Sequence, residues 1–257
     1  MADAVGEQRV ASATRRERVR AATVEEIKAT ARRLLVAEGP SSVTLRAIAR
    51  EMGMTAPGLY RYFPSHEDLV RAVVADVYDE LADGLVQARD LVPEDDPAGR
   101  LIVMSRRFRL WAVNNRSEFS LVFATPLGGV MTEMPSAVDK AGSRFGGVFI
   151  EAFVKLWKLQ PFPIPGDDEL PADLFRQLTN YRTFLAGQFG PYTLTIPIGT
   201  LLRFLQCWVQ LYGMVALEVF DHLHFCLDNP EPAFELQLQG LARSLGFTAR
   251  PDLPLLP

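Results

Sequence analysis

"IAREMGMTAPGLYRYF", residues 48–63, interrupts a helical pattern with Gly53, Thr55 and Pro57 and then resumes it. Gly53 supplies the positive φ that a tight turn between helices needs, and Thr55 is placed to accept a hydrogen bond from the free amides of the next helix. Met54 and Leu59 flank that cap as a hydrophobic staple, and Pro57 falls in the first turn, where its missing N–H costs little. Just upstream, Thr44 caps a short helix whose Leu45, Ile48, Ala49 and Met52 share one face, leaving Arg46 and Arg50 outward. Two short helices joined by a glycine-containing turn make a helix-turn-helix unit, in which the second helix enters the major groove of DNA. The spacing predicts Leu59 and Phe63 inward, with Pro57, Gly58, Tyr60 and Arg61 outward.

Before this unit, Val24, Ile27, Ala31, Leu34 and Leu35 form the apolar face of a first helix, which Gly39-Pro40 ends. The chain of 257 residues is 48% hydrophobic, enough for one large domain or a small one joined to a larger one. Its net charge of −4 conceals an asymmetry: residues 1–62 hold 11 Lys/Arg against 7 Asp/Glu, so the basic end is the N-terminal one. Arg9, Arg15, Arg16, Arg18 and Arg20 read either as a solvated, disordered arm or as a segment that meets a polyanion. No secretory leader pattern opens the sequence. The longest apolar stretch, Ile196 to Cys226, carries Arg203, Glu218 and Asp221, and is read as soluble core rather than as a membrane span. Two cysteines, Cys207 and Cys226, suit a reducing compartment and suggest a cytosolic protein.

The run "IAREMGMTAPGLYRYFPSHEDLV" closely resembles the signature of TetR-family transcriptional regulators, in which a Leu-Tyr-aromatic-Phe run closes the recognition helix and a short capped turn begins helix four. The match covers about residues 22 to 70, and Ser65 with Asp68 makes a capping box at the start of that helix. The resemblance implies a dimeric all-α protein, with a DNA-binding domain ahead of a ligand-binding and dimerisation bundle. It also implies double-stranded operator DNA and a small-molecule effector as partners. Thr44, Arg46, Thr55, Ala56, Pro57, Tyr60, Arg61 and Tyr62 match positions that touch DNA. His66 stands where the family has a lysine directed at a phosphate, histidine being the weaker phosphate partner near neutral pH. Tyr60 and Tyr62 serve either phosphate bonding or packing, and Arg61 either reads a guanine edge or neutralises a phosphate. The domains are assigned as an arm over 1–21, a helix-turn-helix domain over 22–68 and a helical domain over 69–257.

Beyond a loop at "VPEDDPAG", helical periodicity recurs from Arg100. A short helix is predicted to end at Thr125-Pro126, and a Pro-rich connection, "PFPIPGDDELP", precedes a helix around Leu174, Leu178, Tyr181 and Leu185. In "IPIGTLLRFLQCWVQLYGMVALEVFDHL" two apolar seams run side by side, one through Leu201, Leu205, Trp208, Tyr212, Val215 and Val219, the other through Leu202, Val209, Gly213, Ala216, Phe220 and Leu223. A helix with two seams needs two partners. Val209, Gly213, Ala216 and Phe220, together with Leu238 and Leu241 of the closing helix, are assigned to a two-subunit four-helix bundle. "WVQLYG", Trp208 to Gly213, is similar to the Trp-x-x-Leu-His-Gly motif of one TetR C-terminal subclass, with Tyr212 in the histidine's place.

Of 25 aromatic residues, 21 lie beyond residue 91. Phe108, Trp111, Phe123, Phe149, Phe184 and Trp208 are therefore candidates to line a pocket for a mainly apolar effector, against ordinary core packing as the alternative for each. His222 and Cys226 at i, i+4 are the best metal-ligand pair, but no histidine-rich cluster, nucleophile elbow or phosphate-cradling glycine loop accompanies them. Neither a metal nor a cofactor nor catalysis is expected. The reading is a ligand-responsive repressor acting at a near-palindromic operator. The alternative is a ligand-binding or scaffold protein on the same framework without operator binding.

Overall fold

The computed structural model describes residues 14–124, 136–250 and 253, and among these it is all-helical. The chain divides into two compact units, Met1–Val73 and Val74–Pro257. The division falls inside a helix, a few residues beyond the predicted boundary at 68, because the buried Leu69 and Val73 belong to the first unit.

The first unit contains α1 (Arg15–Glu38), α2 (Leu45–Glu51), α3 (Ala56–Tyr60) and the opening turns of α4 (His66–Asp90). α1 starts earlier than its apolar face suggests. The Glu17 N–H donates to Thr14 Oγ1 at 3.3 Å while the Glu17 carboxylate accepts the Thr14 N–H at 2.7 Å, a reciprocal capping box that fixes the helix from residue 15. Arg15, Arg16, Arg18 and Arg20 are therefore helical rather than part of a disordered arm, while Arg9 lies outside the described residues. Ile27, Ala31 and Leu35 are buried where α1 packs on α2, and Gly39, at φ 85°, closes the helix.

α2 ends in a Schellman arrangement. Gly53 adopts φ 64°, its N–H reaches the Arg50 carbonyl at 3.3 Å, and the Met54 N–H reaches the Ala49 carbonyl at 2.8 Å. The carbonyls orphaned at the helix end are satisfied within two residues, so the chain turns immediately into α3.

The second unit holds the rest of α4, then α5 (Pro97–Asn114), α6 (Arg116–Phe119) running into a π-type turn at Ser120–Ala124, α7 (Ala137–Leu159), α8 (Ala172–Phe189), α9 (Ile198–Val219) and α10 (Glu231–Ser244). α5 begins inside the predicted loop, because Asp96 accepts the Gly99 N–H at 2.8 Å and Pro97 takes the first helical position. The helix end predicted at Thr125-Pro126 lies outside the described residues. α9 packs against α5, α7, α8 and α10, and at Gly199 a Cβ would stand 2.3 Å from the Pro165 carbonyl oxygen, which only glycine permits. The length and apolarity of α9 would suit a membrane span. In this bundle they bury Leu201, Leu211, Val215 and Val219.

Two forked ion pairs join α5 to its neighbours. Arg106 donates from Nε and Nη2 to Glu235 at 2.8 Å each, and Arg109 donates to both oxygens of the buried Glu218 at 2.7 and 2.6 Å. The planar guanidinium matches both lone-pair directions of the carboxylate, which is what makes a buried charge tolerable. α9 ends at Val219, and Asp221 takes φ 59° in the turn that follows. His222 and Cys226 consequently sit on a turn and not at i, i+4 of one helix face as predicted, both exposed.

Candidate functional site

Three hydroxyl caps shape the exposed surface of the first unit. Thr44 Oγ1 accepts the Ala47 N–H at 3.1 Å, Thr55 Oγ1 accepts the Gly58 N–H at 3.3 Å, and Ser65 Oγ accepts the Asp68 N–H at 3.0 Å. α3 is short, but the N–H groups of Tyr62 and Phe63 both donate to the Leu59 carbonyl, at 2.9 and 3.1 Å, so its last turn is closed. Leu59 and Phe63 are buried, and this anchors the helix. Thr44, Arg46, Thr55, Pro57, Tyr60 and Arg61 remain exposed, Tyr60 by 50%, while Ala56 and Tyr62 are half-buried.

Besides the capping threonines, two more of the sequence-derived positions have internal partners. The Arg20 guanidinium lies 5.2 Å over the ring of Tyr62, and its Nη2 donates to the Arg61 carbonyl at 3.2 Å. Tyr62 is thus a platform for an arginine of α1. His66 Nε2 bonds the Val43 carbonyl. A carbonyl only accepts, so the proton sits on Nε2 and a phosphate contact at His66 is left to Nδ1 alone.

In the second unit a cavity of about 60 Å³ lies among α5, α7, α9 and α10, walled by Leu101, Ile102, Phe149, Phe153, Phe204, Trp208 and others, with the Ser105 hydroxyl and Cys207 thiol at its edge. Ser105 spends its proton on the Leu101 carbonyl at 2.8 Å, and burial pushes the Cys207 thiol up to about 11. Of the six aromatic candidates, Phe149 and Trp208 line this cavity. Phe108 and Phe123 belong to the adjoining aromatic cluster, with Phe108 5.5 Å from Trp208 and 5.8 Å from Phe123. Trp111 is buried and its Nε1 has no acceptor among the described residues. Phe184 stacks on Tyr181 at 6.3 Å, against the separate cluster of Leu178, Leu185 and Leu201, so it is removed from the pocket assignment.

Among the described residues, the outer face of α9 is apolar and uncovered. Val209 is 59% exposed, Leu205, Leu217 and Phe220 are exposed with it, and a Cβ at Gly213 would meet nothing within 4 Å. Ala216 is half-buried on the same stretch. Leu238 and Leu241 do not share this face: at 4% and 8% exposure both are buried in their own bundle and line the cavity. The outward apolar residue of α10 is Leu236, 62% exposed, and Gln237 Nε2 donates to Gln210 Oε1 at 2.8 Å, tying α10 to α9.

A family model described as "Bacterial regulatory proteins, tetR family" matches residues 21–73, and one described as "Tetracyclin repressor-like, C-terminal domain" matches residues 101–241. The chain is 34% identical over 231 residues to the HTH-type transcriptional regulator Rv1816 of Mycobacterium tuberculosis (strain ATCC 25618 / H37Rv), covering 90% of this chain and 93% of that protein. The same figures hold for the HTH-type transcriptional regulator Mb1846 of Mycobacterium bovis (strain ATCC BAA-935 / AF2122/97). The chain belongs to the TetR family of transcriptional regulators. Among solved structures, the putative regulatory protein SCO4313 aligns with a TM-score of 0.63 at 25% identity, over 89% of this chain and 98% of that one. A putative tetR family transcription regulator from Shewanella sp. PV-4 shares the fold at a TM-score of 0.51 and 18% identity, over 84% and 96% of the two chains.

Within this TetR-family chain, sequence reasoning missed the contribution of Arg20, which falls just ahead of the matched residues 21–73. The Thr14-x-x-Glu17 capping signature was the signal that could have found it. It also missed Tyr78, Phe119 and Phe145, which complete the aromatic cluster, and Leu205, Leu217 and Leu236 on the open face. Tyr212, in the histidine's place of the Trp-x-x-Leu-His-Gly motif, donates its hydroxyl to the Phe123 carbonyl at 3.2 Å. No group of three or more His, Cys, Asp or Glu side chains is arranged to hold a metal among the described residues.

Proposed function

We propose that this TetR-family regulator binds a near-palindromic operator as a two-fold dimer in the cytosol, represses transcription there, and is released by a small, mainly apolar effector. The observation that carries the reading is the exposure of Tyr60 and Arg61 on a helix whose start is fixed by Thr55 and whose inner side is anchored by Leu59 and Phe63. A rigid polar face of this kind suits a major groove, with Tyr60 on phosphate and Arg61 on either a guanine edge or a phosphate. Thr44, Arg46, Thr55, Ala56 and Pro57 flank it, and His66 has its Nδ1 left to offer.

The uncovered apolar face of α9, continued by Leu236, supports dimerisation by an isologous contact, with Val209, Gly213, Ala216, Leu217 and Phe220 meeting their counterparts. A two-fold dimer reading a near-palindrome would present its recognition helices roughly 34 to 40 Å apart, about one helical turn of B-DNA. The "WVQLYG" string favours the Trp-x-x-Leu-His-Gly subclass for the C-terminal domain, with Tyr212 as packing rather than as that histidine.

For the effector, the cavity near Phe149 and Trp208 offers almost no hydrogen-bond partner for water, and dry cavities of about 150 Å³ take benzene. At about 60 Å³ this one admits such a molecule only by spreading the helices around it. That movement reaches α4 through Tyr78, which packs 5.8 Å from both Phe123 and Phe145, and through Arg144 of α7, which bonds Asp79 at 3.1 Å and also Asp83. α4 is one continuous helix back to His66. The test is reciprocity. A thermal-shift screen of apolar compounds, then titration of each hit with and without bound DNA, should show effector and DNA weakening each other by the same factor, about 5- to 150-fold for a coupling of about 1–3 kcal/mol. Ligands that bind free and DNA-bound protein equally well would sink the switch.

A further inference from the structure

We propose that the first two turns of α1 and the end of α3 form a single cleft for the sugar-phosphate backbone of DNA, with Arg15, Arg16, Arg20 and Arg61 as its phosphate partners. The inference rests on the DNA-binding reading above but lies outside the recognition face, and three of the four arginines precede the residues matched by the family model. The cleft is open, about 470 Å³, and its lining is Arg15, Arg16, Val19, Arg20, Arg61 and Tyr62. Four arginines thus line one surface depression, and among the described residues no acidic side chain lines it with them.

The geometry is held in place before any ligand arrives. Stacking of Arg20 on Tyr62 and its bond to the Arg61 carbonyl fix α1 to the end of α3. The stacked guanidinium still has N–H edges to offer an anion. Val19, 58% exposed, and the Tyr62 ring add an apolar wall. Charged and apolar groups side by side suit a phosphodiester chain, where phosphates alternate with deoxyribose, better than they suit a free phosphate ion.

A second observation points the same way: these charges have the wrong sign for their place in the helix. Cations in a first turn oppose the helix dipole, and Arg16 and Arg20 stand at i, i+4, where like charges repel. Glu17, the one acid in that turn, is spent on Thr14, whose backbone and side-chain hydrogen bonds lower its pKa. Local stability is given up for positive charge, and a bound phosphate relieves the repulsion. The contacts are sequence-independent, so they add affinity and register without choosing bases.

This yields a test in which stability and binding part company. The Arg15→Ala/Arg16→Ala double variant, Arg20→Ala and wild type would be melted without DNA and titrated with two probes: DNA from upstream of the protein's own gene, and a short duplex of arbitrary sequence. The salt range would be about 50–200 mM. The double variant should melt at the wild-type temperature or above it, yet bind both probes about tenfold more weakly, with the slope of log K against log salt reduced by about 1–2 per subunit. Arg20→Ala should weaken both probes by similar factors, and Arg20→Lys should restore the salt slope without restoring full affinity. Wild-type affinity and slope in the variants, with wild type itself binding salt-dependently, would overturn the cleft and leave the recognition face standing. Parallel loss of melting temperature and affinity in the Arg15→Ala/Arg16→Ala variant would also overturn it, by making those two arginines structural. Absence of salt-dependent binding by wild type would remove both readings together.

Discussion

The two units are held together on different scales of sequence. In the first, the bonds that set the helix starts and the turn span three to five residues: Thr44 to Ala47, Thr55 to Gly58, Ser65 to Asp68, and Met54 back to Ala49. In the second, they span the chain, with Arg109 and Glu218 separated by 109 positions and Arg106 and Glu235 by 129. A surface that must present the same side chains to DNA each time gains from caps that fix helix starts locally. The second unit is instead pinned at a few points far apart in sequence, and the yielding to an effector proposed above would have to occur between them. The comparison teaches that the helix starts of the first unit are set by neighbours in sequence, whereas the helices of the second are fastened by partners far apart in it.

Breaking one long-range pin gives the largest effect. Arg109→Ala leaves Glu218 charged and buried, and also removes the guanidinium 5.2 Å over Phe234, so urea unfolding should show a loss of about 3–5 kcal/mol. The paired variant Arg109→Met/Glu218→Met should recover most of it, because well-packed apolar side chains replace a buried ion pair at little cost. Recovery would mark the pair as a fastening, and a double variant as unstable as the single one would mean that packing around it fails instead.

Breaking a local device gives less. Gly53→Ala forces a Cβ into φ 64°, where nothing nearby obstructs it, so the cost is the intrinsic left-handed penalty of about 1–2 kcal/mol. The loss should appear in the unfolding of the first unit, with binding of an apolar ligand by the second unchanged. A stability change within error would show that the turn relaxes and that the Schellman closure of α2 is not what aims α3.

The same contrast explains how much was legible in the sequence. Residues 48–68 could be read almost bond by bond, because caps, a positive-φ glycine and a proline in the first helical turn carry their geometry with them. The start of α1 escaped because its first two turns have no buried face, so apolar periodicity begins only near Val24. In α9 the two seams were visible, but periodicity alone does not say which of them the subunit covers itself. Leu238 and Leu241 were assigned outward when the outward residue is Leu236. Phe184 was grouped with the other aromatics by composition, although α8 sets it against a different cluster. The bond from His66 to Val43 crosses 23 positions, and nothing in the local pattern announces it.

The most direct measurement of the central claim is footprinting on the DNA upstream of the protein's own gene, with wild type, Tyr60→Phe and Arg61→Ala compared across salt. The account expects two protected half-sites about 10–10.5 base pairs apart, centre to centre. Tyr60→Phe should weaken both evenly, by about 1–2 kcal/mol. Arg61→Ala should either relax the base preference at one position per half-site or lower the salt slope by about one per subunit. Absence of any protected site at about 50 mM salt, or protection that neither substitution alters, would contradict it by taking α3 out of the interface.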